Sequence, residues 1–277
     1  MSDVRILSLN FSRNSMMKEK RRNNKKLNKS FNPSIMMVYL LKTPSFELAV
    51  YVQGDSNAEK LALLLPGRID TKDYPHMKSH VDYLASKGYL ALSFDPPGTW
   101  ESPGGIKSYT MTNYLKAVNE LIEHFGNRPT ALIGHSRGGS IAMLVGTSNV
   151  YVTHIITTMS RPQPSKIIER DTQNGAEISY QDTPSGGRIK FELPLSYFID
   201  ASQYDAVDAL SRCTKPKLFI SGKKDDDITP ESVRETYHNS AEPKELYEVD
   251  SEHNYRFHPK IVEEINQCIG KFLDRKF

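Results

Sequence analysis

This chain of 277 residues has little cysteine, no long apolar run and no internal repeat. Its two cysteines, Cys213 and Cys268, lack metal-ligand spacing and favour reduced core thiols over a disulfide framework. The densest apolar run, residues 61–65, is far shorter than the ~20 residues needed to cross a bilayer. The sequence therefore predicts a globular protein of a reducing compartment, and we expect a cytoplasmic location without a membrane span.

Positive charge is concentrated near the amino terminus. Residues 1–35 contain nine Lys or Arg and two acids, a net charge of +7, which leaves −4 for the rest of a chain whose total is +3. We expect residues 1–37 to be a disordered basic leader, with organellar targeting and a basic docking tail as alternatives. Met36 or Met37 is an alternative natural start. The body, residues 38–277, has no visible basic face, so we predict no nucleic-acid partner for it.

From residue 38 onward, apolar runs alternate with segments of helical periodicity. Strands are predicted at 46–52, 60–65, 89–94, 152–159, 217–221 and 245–249, and helices at 74–87, 114–125, 230–239 and 259–274. This alternation predicts an α/β fold with a mostly parallel central sheet and helices on both faces. Residues 160–210 break the pattern with a hairpin at 178–180 and 188–191 and a helix at 204–210, and they are predicted to form a small cap that selects substrates.

The motif Gly134-His135-Ser136-Arg137-Gly138 separates an apolar run from a helical segment. Strand, tight turn and helix are the context in which Gly-x-Ser-x-Gly forms a nucleophile elbow, with the serine hydroxyl above the sheet edge. Ser136 is therefore the predicted nucleophile.

A serine hydroxyl needs a base to remove its proton and a carboxylate to orient that base. Two later strands end in suitable groups: one leads into Asp225, Asp226 and Asp227, and the next leads into His253. His253 is the predicted base because it follows the last strand. His135 is expected to pack beside the serine and His258 to lie at a helix entrance on the surface. The other histidines are expected to lie away from the catalytic edge: His76, His80, His124, His154 and His238.

Five segments in this order resemble the α/β-hydrolase family from about residue 44 to the carboxyl terminus. They are Leu65-Pro66-Gly67-Arg68, Phe94-Asp95-Pro96-Pro97-Gly98, Gly134-His135-Ser136-Arg137-Gly138-Gly139, Gly222 to Pro230, and Glu252-His253-Asn254. Within the family the chain looks most like small-capped esterases and acyl-peptidase-like hydrolases, including relatives of dienelactone hydrolase and cinnamoyl esterase.

The resemblance implies roles for individual residues. The family's spacing selects Asp225 when counted from Gly222, and Asp226 when counted back from Pro230; Asp225 is preferred and Asp226 is the alternative. The backbone N–H groups of Arg68 and Arg137 are implied as the oxyanion hole. Their side chains are expected to face solvent or to pair with Asp70 or Asp95, and the alternative is that one of them binds a substrate carboxylate.

The sequence thus predicts a serine hydrolase that cleaves carboxylic esters through an acyl-enzyme on Ser136, with His253 and Asp225 completing a triad. Alternatives are a peptidase or amidase for short peptides, and a non-catalytic hydrolase-like binding protein. The expected partner is a small-molecule ester or a short acyl or peptide substrate, and no metal or organic cofactor is needed. Trp100, Tyr197 and Phe198 are predicted to line the substrate pocket, with core packing as their alternative role.

Overall fold

The computed structural model describes residues 39–163 and 175–277. The predicted leader and residues 164–174 of the predicted cap lie outside the described residues. The strands are β1 (Leu40–Lys42), β2 (Glu47–Gln53), β3 (Leu61–Leu65), β4 (Leu90–Phe94), β5 (Thr130–His135), β6 (Val152–Thr158), β7 (Ala176–Asp182), β8 (Arg188–Pro194), β9 (Lys217–Gly222) and β10 (Lys244–Val249). The helices are α1 (Pro75–Ser86), α2 (Met111–His124), α3 (Arg137–Ser148), α4 (Leu195–Ala201), α5 (Val207–Arg212), α6 (Pro230–Asn239) and α7 (Pro259–Leu273), and short 3₁₀ turns occur at Ile106–Ser108 and Tyr255–Phe257.

Eight strands form one sheet in the order β1-β2-β4-β3-β5-β6-β9-β10. The six strands from β4 to β10 in this order pair in parallel, whereas β1 and β2 add an antiparallel edge. The predicted fold class, a mostly parallel sheet of the α/β type, is confirmed.

Successive residues of the central strands point to opposite faces of the sheet, and each face has its own apolar core. Leu61, Leu63 and Leu65 belong to the core that packs against α2 and α3. Ala62 and Leu64 belong to the opposite core, which packs against α1 and α7. Because both faces are covered, the strands are continuous apolar runs rather than alternating ones.

Two helices begin three residues away from their predicted starts because local polar groups decide the first turn. Helix α2 begins at Met111, since the Thr110 hydroxyl accepts a hydrogen bond from the Asn113 N–H at 3.0 Å and caps the helix. Helix α5 begins at Val207, after a turn in which the Asp205 carboxylate accepts from the Val207 N–H at 2.7 Å.

Parallel pairing brings the carboxyl ends of the strands to one edge of the sheet, where open α/β sheets bind ligands. Arg68 follows β3, Ser136 follows β5, Asp225 follows β9, and His253 follows β10. The chain topology alone therefore gathers the predicted site residues at this edge.

The strands β7 and β8 form a separate antiparallel hairpin, in register from Ala176 opposite Pro194 to Asp182 opposite Arg188. Two contacts attach the hairpin to the segment after β3. The Glu177 carboxylate lies 3.0 Å from the Arg68 guanidinium, and the Tyr74 hydroxyl donates to the Asp182 carbonyl at 2.9 Å. The hairpin therefore lies over the carboxyl edge of the sheet.

The fully buried carboxylate of Asp95, at the end of β4, holds the loop after β3 in place. It accepts hydrogen bonds from the Thr71 hydroxyl at 2.7 Å and the Lys72 N–H at 2.9 Å, and the Lys72 ammonium lies 3.4 Å away. Burial raises the pKa of the Asp95 carboxyl, and the neighbouring Lys72 ammonium opposes that rise. This network fixes the segment that carries Arg68.

We expect Asp95→Ala to lower the free energy of unfolding by about 3–5 kcal/mol, because it removes the acceptor of several buried hydrogen bonds beside a buried ammonium group. Urea denaturation would measure the loss. Asp55→Ala, in an exposed turn, is the matched control and should change the unfolding midpoint far less. Similar midpoints for the two variants would contradict this role for Asp95.

Candidate active site

Ser136 lies in the sharp turn between β5 and α3 with φ of 50° and ψ of −118°. A non-glycine residue with positive φ is held there only by its surroundings. Its N–H donates to the Thr158 carbonyl at 3.0 Å, and its carbonyl accepts from the Ser160 hydroxyl at 2.7 Å. The turn is therefore fixed against the end of β6.

The two glycines of the motif are required by close backbone approach. A Cβ on Gly134 would lie 2.2 Å from the Gly138 carbonyl oxygen, and a Cβ on Gly138 would lie 1.9 Å from the Leu65 carbonyl oxygen. Any side chain at either position would push α3 away from β5 and β3.

Asp225 and His253 form a hydrogen bond between Oδ2 and Nδ1 at 2.8 Å. The other oxygen of Asp225 accepts from the N–H groups of Asp227 at 2.9 Å and Ile228 at 2.8 Å. Asp225 is buried, with 2% of its surface exposed, whereas Asp226 is exposed. Asp225, rather than Asp226, is thus the carboxylate that contacts His253.

Ser136 and His253 line the same cavity of about 560 Å³. Among the described residues no hydrogen bond joins the Ser136 hydroxyl to the His253 imidazole. Catalytic hydrogen bonds of this kind are often long before substrate binds. The structure therefore brings the serine and the Asp225–His253 pair to one cavity without the final contact between them.

Arg68 and Arg137 also line this cavity. Arg137 is the first residue of α3, so its N–H points out of the positive end of the helix dipole. The N–H of Arg68 has no acceptor among the described residues. Two backbone donors next to a serine hydroxyl could stabilise negative charge that develops on a bound carbonyl oxygen.

The side chain of Arg68 pairs with Glu177 on the hairpin, so the expectation that it faces solvent or pairs with Asp70 or Asp95 is wrong. Asp70 instead lies 3.5 Å from the Arg256 guanidinium and 3.5 Å from the His135 ring.

The three residues predicted to line the substrate pocket are not among those that line this cavity. Tyr197 and Phe198 are buried in the core, where Tyr197 stacks on Tyr109 at 5.0 Å between ring centroids. Trp100 donates from Nε1 to the Ile69 carbonyl at 2.8 Å and packs on Phe191. All three side chains therefore pack in or against the core, which is their alternative role.

Sequence reasoning missed three arginines of the described cavity lining, Arg161, Arg188 and Arg256. Arg188 was predicted as part of the hairpin, without a role in the site. Arg161 comes three residues after the end of β6, at the same carboxyl edge as Ser136, and this position was the available signal. Arg256 comes three residues after His253, and no motif marks it.

A group of buried histidines lies beside His253. His135 packs next to the serine as expected, and its Nε2 donates to the His253 carbonyl at 3.1 Å. The ring of His76 contacts the ring of His135 at 5.4 Å between centroids, so the expectation that His76 lies away from the site is wrong. The two nitrogens of His80 bond to Asn266 at 2.6 Å and to the Tyr255 hydroxyl at 2.9 Å.

Two groups of side chains have ligand atoms close enough to hold a metal ion. Asp70, His76 and His135 are buried together with these atoms within 4.8 Å of one another, but Arg256 already places a positive charge against Asp70. In the other group the Lys72 ammonium contacts all three carboxylates, those of Asp73, Asp95 and Glu101. A positively charged side chain already lies against each group, and it would repel a bound metal ion.

The chain matches the alpha/beta hydrolase fold family over residues 62–242, and it belongs to that family. A search of curated protein sequences finds no match.

Solved structures of the same fold cover nearly the whole described chain. Est1E from Butyrivibrio proteoclasticus, with ferulic acid bound, is 17% identical, with a TM-score of 0.68 over 86% of this chain and 100% of that one. The enol-lactonase from Burkholderia xenovorans LB400 is 14% identical, with a TM-score of 0.66 over 86% and 100% of the two chains. The alpha/beta hydrolase domain-containing protein 10 from mouse is 16% identical, with a TM-score of 0.67 over 86% and 98%.

None of the helices in the described part of the chain combines the length and the apolar content that crossing a bilayer requires.

The lowered pKa values of the buried histidines predict how the free energy of unfolding depends on pH. Burial lowers the pKa of His76 and His135, and it lowers the pKa of His80 to about 4. Unfolded histidine titrates near pH 6.5, so below that value the unfolded chain binds more protons than the folded chain. We therefore expect the free energy of unfolding to fall as pH decreases below about 6.5. His80 contributes about 1.4 kcal/mol per pH unit down to about pH 4, and His76 and His135 add to the fall.

Urea denaturation between these pH values would measure the slope. His80→Gln should make the slope shallower by about 1.4 kcal/mol per pH unit, the contribution of one proton, because one buried titrating group is removed. His238→Gln, at an exposed position on α6, is the control and should leave the slope unchanged. A His80→Gln slope equal to that of the wild type would contradict the assignment.

Proposed function

We propose that this chain is a serine hydrolase that cleaves carboxylic esters through an acyl-enzyme on Ser136. The observation that carries the proposal is the 2.8 Å hydrogen bond between the buried Asp225 and His253, in the same cavity as the serine at the strained turn. The family membership and the enol-lactonase among similar structures support the same class of reaction.

In the proposed first step, Nε2 of His253 accepts the proton of Ser136 as the hydroxyl oxygen attacks the ester carbonyl carbon. Asp225 accepts from Nδ1–H, which fixes the tautomer that leaves Nε2 free to act as base, and it stabilises the imidazolium that forms. The tetrahedral oxyanion is stabilised by the N–H groups of Arg68 and Arg137. One such donor typically contributes about 2.7–4 kcal/mol to the transition state.

Collapse of this intermediate breaks the ester C–O bond, and the imidazolium gives its proton to the leaving alkoxide. Water then enters and is deprotonated by His253, and it attacks the acyl-enzyme to release the acid and restore the Ser136 hydroxyl. Water is the only co-reactant that the complete reaction consumes.

The first test is covalent labelling. A fluorophosphonate probe should label the wild-type protein at Ser136, as peptide mass spectrometry would report, and Ser136→Ala should not be labelled. Ser140→Ala is the matched control, because Ser140 lines the same cavity one turn further along α3. Labelling of Ser136→Ala at the wild-type rate would refute Ser136 as the nucleophile.

The second test separates the two adjacent acids. We expect Asp225→Asn to lower kcat for para-nitrophenyl esters by about four orders of magnitude, because the amide favours the wrong tautomer of His253. Asp226→Asn, at the exposed neighbouring position, should change kcat less than about twofold. The reverse ranking would show that Asp226 orients the base. Aminoacyl anilides assayed in parallel would show whether amides are also cleaved.

A further inference from the structure

The cavity around Ser136 is unusually polar for a ligand site. Of the eighteen lining residues that the structure describes, only Ile228 and Phe257 have wholly apolar side chains. Ligand pockets are ordinarily lined by apolar and aromatic groups, with a few polar groups that fix orientation. A long hydrocarbon acyl chain would displace water from charged groups here and gain little in return.

Positive charge dominates the part of the lining that the structure describes. There, five arginines face the cavity against three aspartates, Asp70, Asp182 and Asp227. Three of the arginines have carboxylate partners: Arg68 pairs with Glu177, Arg188 pairs with Asp182, and Arg256 lies between Asp70 and Asp182. Arg137 contacts the Met111 sulfur and has further interactions.

Arg161 differs from these four. Its side chain forms no ion pair or hydrogen bond with any residue that the structure describes, although it is only partly exposed. Its backbone is fixed near the serine, because the Ser140 hydroxyl donates to the Arg161 carbonyl at 2.9 Å and the Ser140 N–H donates to the Ser136 carbonyl at 3.3 Å. Arg161 thus lines the cavity from a backbone position that is attached one helical turn from the proposed nucleophile.

Gln163, two residues further along the chain, also lines the cavity. Its side-chain oxygen is buried and has no hydrogen-bond partner in the described structure. Buried polar atoms are nearly always paired, so this oxygen indicates a polar ligand in the cavity that the solvent-accessible Arg161 guanidinium also lines. Arginine binds carboxylates and phosphates with paired, charge-assisted hydrogen bonds.

We propose that Arg161 binds an anionic group of the substrate, so that the esters this chain cleaves carry a negative charge. This inference rests on the proposed function, since it names the substrate class of the Ser136 site. The anion belongs either to the acyl part, as in a half-ester of a dicarboxylic acid, or to the leaving group. A carboxylate at either position would bind Arg161 in the same way, and the two arms of the experiment distinguish these positions.

The test compares esters that differ by one charge. In the acyl arm, para-nitrophenyl hydrogen adipate and para-nitrophenyl hexanoate differ only in that a terminal carboxylate replaces a methyl group. In the leaving-group arm, para-carboxyphenyl hexanoate is compared with phenyl hexanoate. The measured quantity is the ratio of wild-type to variant kcat/KM for each ester, in which intrinsic reactivity cancels.

Arg161→Gln should lower kcat/KM about tenfold or more for the anionic ester of one arm, and less than about twofold for its neutral partner. Arg161→Lys should restore part of the loss, because the positive charge returns without the paired donors. Arg212→Gln removes a surface arginine outside the cavity and is the matched control, expected to affect all four esters equally. The wild-type preference for the anionic ester should weaken at high salt.

An equal effect of Arg161→Gln on anionic and neutral esters in both arms would overturn the proposal while leaving ester hydrolysis intact. Failure of the wild-type protein to cleave any ester would instead count against the proposed function. Binding is therefore measured independently, by calorimetry with Ser136→Ala and the same esters. There, tighter binding of an anionic ester that is lost in Ser136→Ala combined with Arg161→Gln supports the site, and equal affinities refute it.

Discussion

The close contact between the turn at Ser136 and the end of β3 is the constraint on which the rest of this site depends. Gly138 lies against the Leu65 carbonyl so closely that no Cβ fits between them. This contact sets the start of α3 next to the segment after β3, and it is the reason that Arg137 and Arg68 line one cavity. A shift of α3 by the width of one methyl group would move Ser136 and Arg137 away from Arg68.

His135 connects the serine turn to the histidine loop. It precedes Ser136 in the chain, and its Nε2–H donates to the carbonyl of His253. With that proton on Nε2, a neutral His135 presents a lone pair on Nδ1 towards Asp70, 3.5 Å away, and Arg256 on the far side of Asp70 balances the carboxylate charge. The backbone of His253 is therefore held by the neighbour of the nucleophile, while its ring is held by Asp225.

The sequence was sufficient for the mostly parallel sheet and for the order of its main elements. Strong apolar runs and the Gly-x-Ser-x-Gly turn depend on local chain properties, so β3, β5 and α3 follow from the residues themselves. The choice between Asp225 and Asp226 could not be made from spacing, because it depends on which carboxylate the loop after β9 turns inward. Trp100, Tyr197 and Phe198 were assigned to the pocket because an aromatic side chain serves core and pocket equally well, and only packing decides between them.

The polar character of the cavity follows from how the hairpin is attached. Two apolar side chains of β8 are buried in the core, whereas no side chain of β7 is fully buried. Near the site, β7 is joined to the body through ion pairs and hydrogen bonds at Glu177, Gln181 and Asp182. Each ion pair brings an arginine of the body, Arg68 or Arg256, up to the cavity wall. If β7 were held by apolar contacts as β8 is, this wall would carry hydrocarbon. The electrostatics of the cavity are therefore a consequence of how β7 is attached.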